Sequence, residues 1–428
     1  MGDVPGTERV GPPYREWDLV RPRILMVVEN NGYPSDPRVR AEASALTAAG
    51  YRVTVIAPSE PGEPATQTIE GVRVLRYLLP RSAGGALGYA AEYIHATLAS
   101  LALVVRVLVR PGFDVIHLHN PPDTLWLAAL PAKIAGKALV FDHHDLAPEM
   151  YDAIFAGRSK RPLRWLLALM ERMTFRLADH VISTNESYRA IAVERGGLAW
   201  SRTTVVRNGP DLNRVRRVTE DHGIRARAKT IIGYVGQMGQ QDGLDHLLEA
   251  ARHLVVTLGQ RDVLFMLIGY GDALENLRFQ ARALEIEPYV WFTGRVADDE
   301  TFRRYLSTAD ICVTPDPANS YTERSTMIKM MEYMALAKPV VAFDLRENRA
   351  SAGEAAVYVG RNDSLAFAKA INDLIGDPDR RAQLGKIGRR RLEAGLTWDH
   401  SVPDLLRAYD TVLRSPRKRF RIRRRRRR

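Results

Sequence analysis

The chain has 428 residues, enough for two domains of about 200 residues with a full core each. Hydrophobic residues make up 46% and charged residues 26%, which excludes a disordered chain and marks a soluble globular one. A net charge of +12 suggests nucleic acid until it is located: residues 417–428 hold ten basic side chains and the rest of the chain only +2, so the charge describes a tail, expected to be a solvated, disordered arm.

The first twenty residues mix Asp, Glu, Arg, Gly and Pro without an apolar segment, so no signal peptide is expected and the protein is placed in the cytoplasm. Residues 23–29 are a short apolar run ending at Asn30, Asn31 and Gly32, as a buried parallel strand entering a ligand loop would be. Residues 37–49 follow as a helix stopped by Gly50, and 52–57 as the next strand, an order that implies a right-handed crossover. Residues 90–109 are the most hydrophobic stretch, but Glu92, His95 and Arg106 interrupt it. A helix buried in an α/β domain, with contact to a membrane surface left open, is expected there and a spanning helix is not. Runs at 115–119, 138–142 and 180–183 continue the alternation, and the period of two places His117 and His119 on one face of a strand end. The loop FDHHDLAPE clusters Asp142, His143, His144, Asp145 and Glu149. Neighbouring residues diverge in direction and no second ligand group is spaced to complete a metal site, so no metal is expected.

The pattern restarts after residues 207–222. Strands are expected at 230–235, 264–269, 311–314 and 339–343, with a helix at 243–254, so the fold class is α/β with two doubly wound, Rossmann-like domains. Ligands of such sheets bind beyond the carboxyl ends of the strands. The lone cysteine, Cys312, excludes an intrachain disulfide and fits a reducing compartment. After it, CVTPDPANSYTERSTMIKMMEYMALAKPVVAFDL reads as strand, polar loop, helix opening at Ser325 or Thr326, and strand. Either hydroxyl could cap the helix, whose exposed N–H groups suit a pyrophosphate. Lys329 and Glu332, three apart, share a helix face. Taken alone, the segment reads equally well as a capped amphipathic helix with a solvated Lys–Glu pair.

The phrase EYMALAKPVVA at 332–342 resembles the EYMALGKPVVA of family 4 glycosyltransferases, and similar alternation extends the resemblance over roughly residues 22–415. The resemblance implies a GT-B fold, two Rossmann-like domains facing a cleft, and a UDP- or GDP-linked sugar as substrate. It also implies retention of configuration without metal or cofactor. It divides the chain into an extension (1–21), an acceptor-side domain (22–207), a nucleotide-sugar-binding domain (208–398), a helix packing back on the first domain (399–415) and the tail (416–428). Many members carry a glutamate eight positions before Glu332; here Arg324 stands there, with Glu323 beside it, as in a subgroup reading approximately STMxKxMEYMA. In GQMGQQDGLD, Gln237 and Asp242 replace the usual Arg and Lys, which leaves Lys329 and Arg324 to meet phosphate charge.

The donor-binding set implied is Gly236, Gln237, Gly269, Gly271, Arg295, Val296, Arg324, Ser325, Thr326, Lys329 and Glu332, with the glycines of IGYGD admitting ligand backbone approach and FTGRV reading the base. By the same resemblance His119 stands beside the donor sugar, preferred over His117, and His144 and Asp145 line the cleft. Asn31, Gly32 and Arg38 of the first loop face the acceptor, a glycan or lipid-linked molecule. Two other readings compete: a nonhydrolysing nucleotide-sugar epimerase using Asp145 and Glu149 as acid and base, and a polyanion-binding protein acting through the tail. Six consecutive arginines provide no scaffold for reading bases, so the tail's expected partner is an anionic membrane, which would make the enzyme peripheral at the inner face of the cell membrane.

Overall fold

Eight short strands, most of them apolar and buried, build the sheet of the first half of the chain. They are β1 (Arg23–Val27), β2 (Arg52–Pro58), β3 (Thr66–Ile69), β4 (Val72–Tyr77), β5 (Val115–His119), β6 (Ala138–His143), β7 (His180–Ser183) and β8 (Thr203–Val205). In the computed structural model, which describes residues 22–80, 86–155, 160–296 and 298–415, they pair in the order β3-β4-β2-β1-β5-β6-β7-β8. All neighbours are parallel except β3 and β4. The second sheet is wholly parallel: β9 (Thr230–Val235), β10 (Val263–Ile268), β11 (Val290–Gly294), β12 (Ile311–Thr314), β13 (Val340–Phe343) and β14 (Ala356–Val359), in the order β11-β10-β9-β12-β13-β14. The strand order reverses between β1 and β5 and between β9 and β12, and the crevices beyond those strand ends are where such sheets bind ligands.

Strands β3, β4, β8, β11 and β14 were not legible in the hydrophobic pattern. β3 is TQTI, an edge strand with no buried residue, and it turns into β4 through Glu70 and Gly71, both at positive φ (50° and 82°), as a two-residue hairpin requires. Among the helices of this half, α1 (Pro37–Ala48) begins where Asp36 accepts from the backbone N–H of Arg38 (3.0 Å) and Val39 (3.3 Å), with Pro37 at the first position. The long helix α2 (Ala86–Val109) buries Ala96, Val104 and Val107 against Leu25, Ile116 and Leu118. Its other face is exposed, which corrects the expectation of a buried helix. Next come α3 (Trp126–Ile134), α4 (Ala147–Ile154), α5 (Arg161–Leu177) and α6 (Glu186–Glu194).

Each sheet is covered by apolar clusters on both faces. The C-terminal helix Trp398–Arg414 returns to the first sheet, where Leu405, Ala408, Tyr409 and Val412 pack with Ile24, Met26, Val140 and Ile182. The chain therefore crosses between halves twice, and the crossings touch backbone to backbone: a Cβ at Gly209 would lie 2.1 Å from the Leu396 carbonyl, so no larger residue fits. Residues 1–21 and 416–428, the expected extension and tail, lie outside the described residues.

Candidate functional site

The carboxyl ends of the two sheets meet at a cavity of about 160 Å3. One wall comes from the first half (Arg38, His144, Asp145, Thr184, Tyr188), with Asn208 from the crossing segment. The other comes from the second half (Tyr321, Ser325, Thr326, Met327, Ile328). Hydrogen bonds close the two walls on each other. Asn185 caps α6 by accepting from the Tyr188 N–H (2.8 Å), and its amide donates across to the Arg324 carbonyl (2.8 Å) and Thr326 Oγ1 (2.9 Å). Tyr321 donates to Asp145 Oδ1 (2.9 Å), Ser187 to Glu347 Oε1 (2.5 Å), and Tyr188 shares a bond with Ser325 (2.9 Å).

On the first wall, β6 delivers Asp142 and the loop after it delivers His144 and Asp145. Asn120 at the end of β5 fixes that loop, accepting from the backbone N–H of His144 (2.7 Å) and Asp145 (3.2 Å) and donating to the Asp145 carbonyl (2.8 Å). The His144 ring is held at both nitrogens: Nε2 bonds Asp142 Oδ2, and Nδ1 pairs with the Asn208 amide at 3.2 Å. The Asn208 contact is through its amide nitrogen, which can only donate, so Nδ1 accepts and the proton sits on Nε2. Burial lowers the His144 pKa, reinforced by Arg38 and opposed by Asp142, which keeps the ring neutral near pH 7. His119 also reaches Asp142 Oδ2 through Nδ1 (3.0 Å), but it is 1% exposed and stacks behind His144, with centroids 6.3 Å apart. Of the two histidines, His144 and not His119 lines the cavity.

Arg38 lines the cavity and grips Asp36 through Nε (3.2 Å) and Nη2 (2.9 Å). Burial alone would raise the Asp36 carboxyl, but the Arg38 charge and hydrogen bonds outweigh it and hold the group down to about 2. Asn31 is exposed and does not line the cavity, and Gly32 packs on the Pro58 carbonyl, where a Cβ would sit at 3.3 Å. Glu149 turns away into a pair with Arg195 at 2.6 Å.

The expectation that no second ligand group reaches the loop is also corrected. The sheet register stacks His117 and His119 on Asp142, and α1 brings Glu42, so their ligand atoms lie within 4.8 Å of one another, all buried. Burial first, and Asp142 next, push the Glu42 carboxyl well above the usual range. Tyr409 ties the cluster to the C-terminal helix through His117 Nδ1 (2.7 Å).

On the second wall, the helix Ile328–Ala335 starts at Met327 with no side-chain cap, which corrects the placement of its start at Ser325 or Thr326. Those hydroxyls are spent elsewhere: Ser325 on Tyr321 and Tyr188, Thr326 on Asn185 and Glu347. The helix therefore begins without a side-chain cap, and its first residues, Met327 and Ile328, line the cavity. Lys329 does not face Glu332. Its ammonium donates to Asp316 Oδ1 (2.9 Å) and Tyr234 (3.3 Å), and although burial opposes the charge, Asp316 and Tyr234 raise its pKa. Glu332 is half-buried, and none of the described residues hydrogen-bonds its carboxylate; burial raises its pKa. Arg324 bonds the Ser320 carbonyl (2.7 Å) and is not brought to Lys329, while Glu323 pairs with Arg361 (2.8 Å).

The expected ligand glycines serve the protein's own backbone. A Cβ at Gly269 would lie 1.9 Å from the Gly236 carbonyl, and one at Gly271 2.6 Å from the Met238 carbonyl. Gln237 and Arg295 are exposed, the latter 5.3 Å from the Tyr270 ring centroid, Val296 is half-buried against the core, and none of the three lines the cavity. Asn120, Asn185, Asn208, Asp316 and Tyr321 were missed by reading the sequence. Only Asn185 carried a local signal, an N-cap asparagine after an apolar run.

Two family models match the chain, one described as "Glycosyl transferase 4-like domain" over residues 35–209 and one as "Glycosyl transferases group 1" over residues 229–377. The chain is 27% identical over 384 residues to phosphatidyl-myo-inositol mannosyltransferase of Mycobacterium leprae, covering 87% of this chain and 91% of the relative. It is also 27% identical over 326 residues to alpha-maltose-1-phosphate synthase of Mycolicibacterium smegmatis, covering 70% and 79%. Among solved structures, sucrose-phosphate synthase of Thermosynechococcus elongatus superposes with a TM-score of 0.72 at 20% identity, over 91% of this chain and 99% of that one. HepE of Anabaena in complex with UDP-glucose superposes with a TM-score of 0.69 at 18% identity, over 91% and 99%.

Proposed function

We propose that this chain, which belongs to the family 4 glycosyltransferases and has their GT-B fold, moves a sugar from a UDP- or GDP-linked donor to a glycan or lipid-linked acceptor with retention of configuration. The observation that carries this reading is the uncapped start of Ile328–Ala335 opening on a cavity whose opposite wall is Arg38, His144 and Asp145. Free N–H groups and the helix dipole favour an anion there, and they act most strongly where negative charge grows, on the departing diphosphate. Lys329 adds a fixed cation in the same turn. Glu332, one turn further, carries an unspent carboxylate for the ribose hydroxyls.

A cavity of about 160 Å3 is smaller than the roughly 300 Å3 at which ligand pockets begin, so it suits the reacting end of a donor, and the halves part to admit the rest. The bonds of Asn185, Tyr321 and Ser187 across the cleft then define a closed state that excludes water. His144 has both nitrogens engaged inside the protein, which makes it a poor general base in that state. Same-face attack, with the leaving phosphate oxygen taking the acceptor proton, needs no side-chain base and is compatible with this. Arg38 keeps Nη1 unused by Asp36 and can hold an anionic group of the acceptor. The epimerase alternative loses its acid and base pair, because Glu149 is committed to Arg195 and lies outside the cavity.

The test is calorimetry and nucleotide release with a panel of UDP- and GDP-sugars. Binding of one series in the purified protein is expected, and a protein that binds none of them would overturn the donor assignment.

A further inference from the structure

Three neighbouring helices cover one face of the first sheet and leave their outer faces without a partner. α2, α3 and α5 all bury into the same apolar cluster, through Val104 and Val107, Ala129 and Ala132, and Phe175 respectively, so their opposite faces point the same way, into solvent. On α2 that face is a stripe through Ile94 (62% exposed), Leu98 (59%), Val105 (40%) and Val109 (77%), spaced by four, seven and four residues and about 22 Å long. Ile134 of α3 and Trp165 of α5 extend it at 70% and 66% exposure.

Cations border this apolar surface. Arg106 and Arg110 are exposed at the end of α2; Arg161, Arg172 and Arg176 are exposed on α5 and share a stripe with Trp165 at offsets of four, seven and eleven residues. On the three helices themselves acids are few: α3 has none, the acid of α2 is the half-buried Glu92, and that of α5 is Glu171, buried beneath Arg195 at 2.6 Å; adjoining segments pair Asp152 with Arg164 and Asp179 with Lys133, both at 2.6 Å, which leaves the five arginines above. By length and composition residues 90–109 could cross a membrane, yet Val104 and Val107 are packed under the sheet, so the helix lies flat.

From this pairing of an exposed apolar line with unopposed cations, we propose that the α2–α3–α5 face docks on the surface of an anionic lipid bilayer, with Ile94, Leu98 and Trp165 entering the headgroup–acyl boundary. The attachment is distinct from electrostatic capture of the arginine tail, and it fixes which side of the molecule meets the membrane. It does not depend on the glycosyl-transfer reading.

The full chain is mixed with phosphatidylglycerol or phosphatidylcholine vesicles whose acyl chains carry bromine. Binding to the phosphatidylglycerol vesicles is expected with partial quenching of tryptophan fluorescence, and the quenched part is expected to vanish in Trp165→Phe while binding stays. Leu98→Asp combined with Trp165→Asp, both at exposed positions, should keep the native melting temperature and nucleotide-sugar binding but weaken vesicle affinity by on the order of tenfold or more. Bound protein whose Trp165 stays unquenched would show that the tail alone holds it and would overturn the proposal, as would absence of binding. Equal affinity for phosphatidylcholine would overturn the role of the cations. Loss of vesicle binding with donor binding intact is separable from failure of the donor assignment.

Discussion

Replacing Lys329 by methionine keeps the volume of the side chain but removes a cation that a buried and a half-buried carboxylate depend on. Asp316 is 1% exposed and bonded to the ammonium at 2.9 Å, and the half-buried Asp242 carboxyl, pushed up to about 6 by burial and by Asp316, is held below a higher value by the same cation. Removing one member of a buried pair strands the other, so Lys329→Met should destabilise the fold by about 3–5 kcal/mol. Neutralising the partner as well, with Asp316→Asn, should recover most of that loss. Donor binding behaves differently. If Lys329 contacts the diphosphate, both the single and the double variant lose one charge-assisted hydrogen bond, about 2 kcal/mol or about 30-fold in Kd. Denaturant unfolding reads the first effect and calorimetry with UDP and GDP reads the second. A double variant that is stable and binds nucleotide as tightly as the parent would show that Lys329 serves the fold alone, and the donor assignment of this residue would fall.

His144→Ala removes part of the cavity wall and frees the Asp142 and Asn208 groups that hold it, so it should lower turnover more than it changes donor Kd, and by more than His119→Ala does; steady-state kinetics of both alanine variants decides the order, and a larger loss at His119 would refute it. Tyr409→Phe removes the bond from the C-terminal helix to His117 and leaves a buried nitrogen unpaired, so it should cost about 1–3 kcal/mol by denaturant unfolding; an unchanged midpoint would mean that the contact contributes nothing. Asp242 has a folded pKa raised from 3.8 to about 6, so the folded state holds its proton more tightly than the unfolded chain does; stability from this group is full below about 4 and is lost as pH rises to about 6. Asp242→Asn should therefore flatten the stability profile between those values, and a variant with the parent's slope would contradict the raised pKa.

The sequence by itself determined the two-sheet α/β architecture and where its ligand crevices lie. Buried parallel strands such as 115–119 and 230–235 are written as short apolar runs, and strand ends are marked by the polar residues after them. Local chemistry also exposed the helix that carries Lys329 and Glu332. The edge strands escaped because TQTI and its like bury almost nothing and therefore carry no hydrophobic signal. Tertiary structure alone decided the partners. Lys329 faces Asp316 and not Glu332, because a helix face three residues wide also looks at whatever loop the sheet brings beneath it. Ser325 and Thr326 leave the helix uncapped because their hydroxyls are bonded to Tyr321 and Glu347 of their own half and to Tyr188 and Asn185 of the other. His144 displaces His119 from the wall because Asn120 pins the loop after β6 over the end of β5. Each outcome is a contact between residues 13 to 141 positions apart, and side chains at such separations meet only once the backbone has closed the space between them.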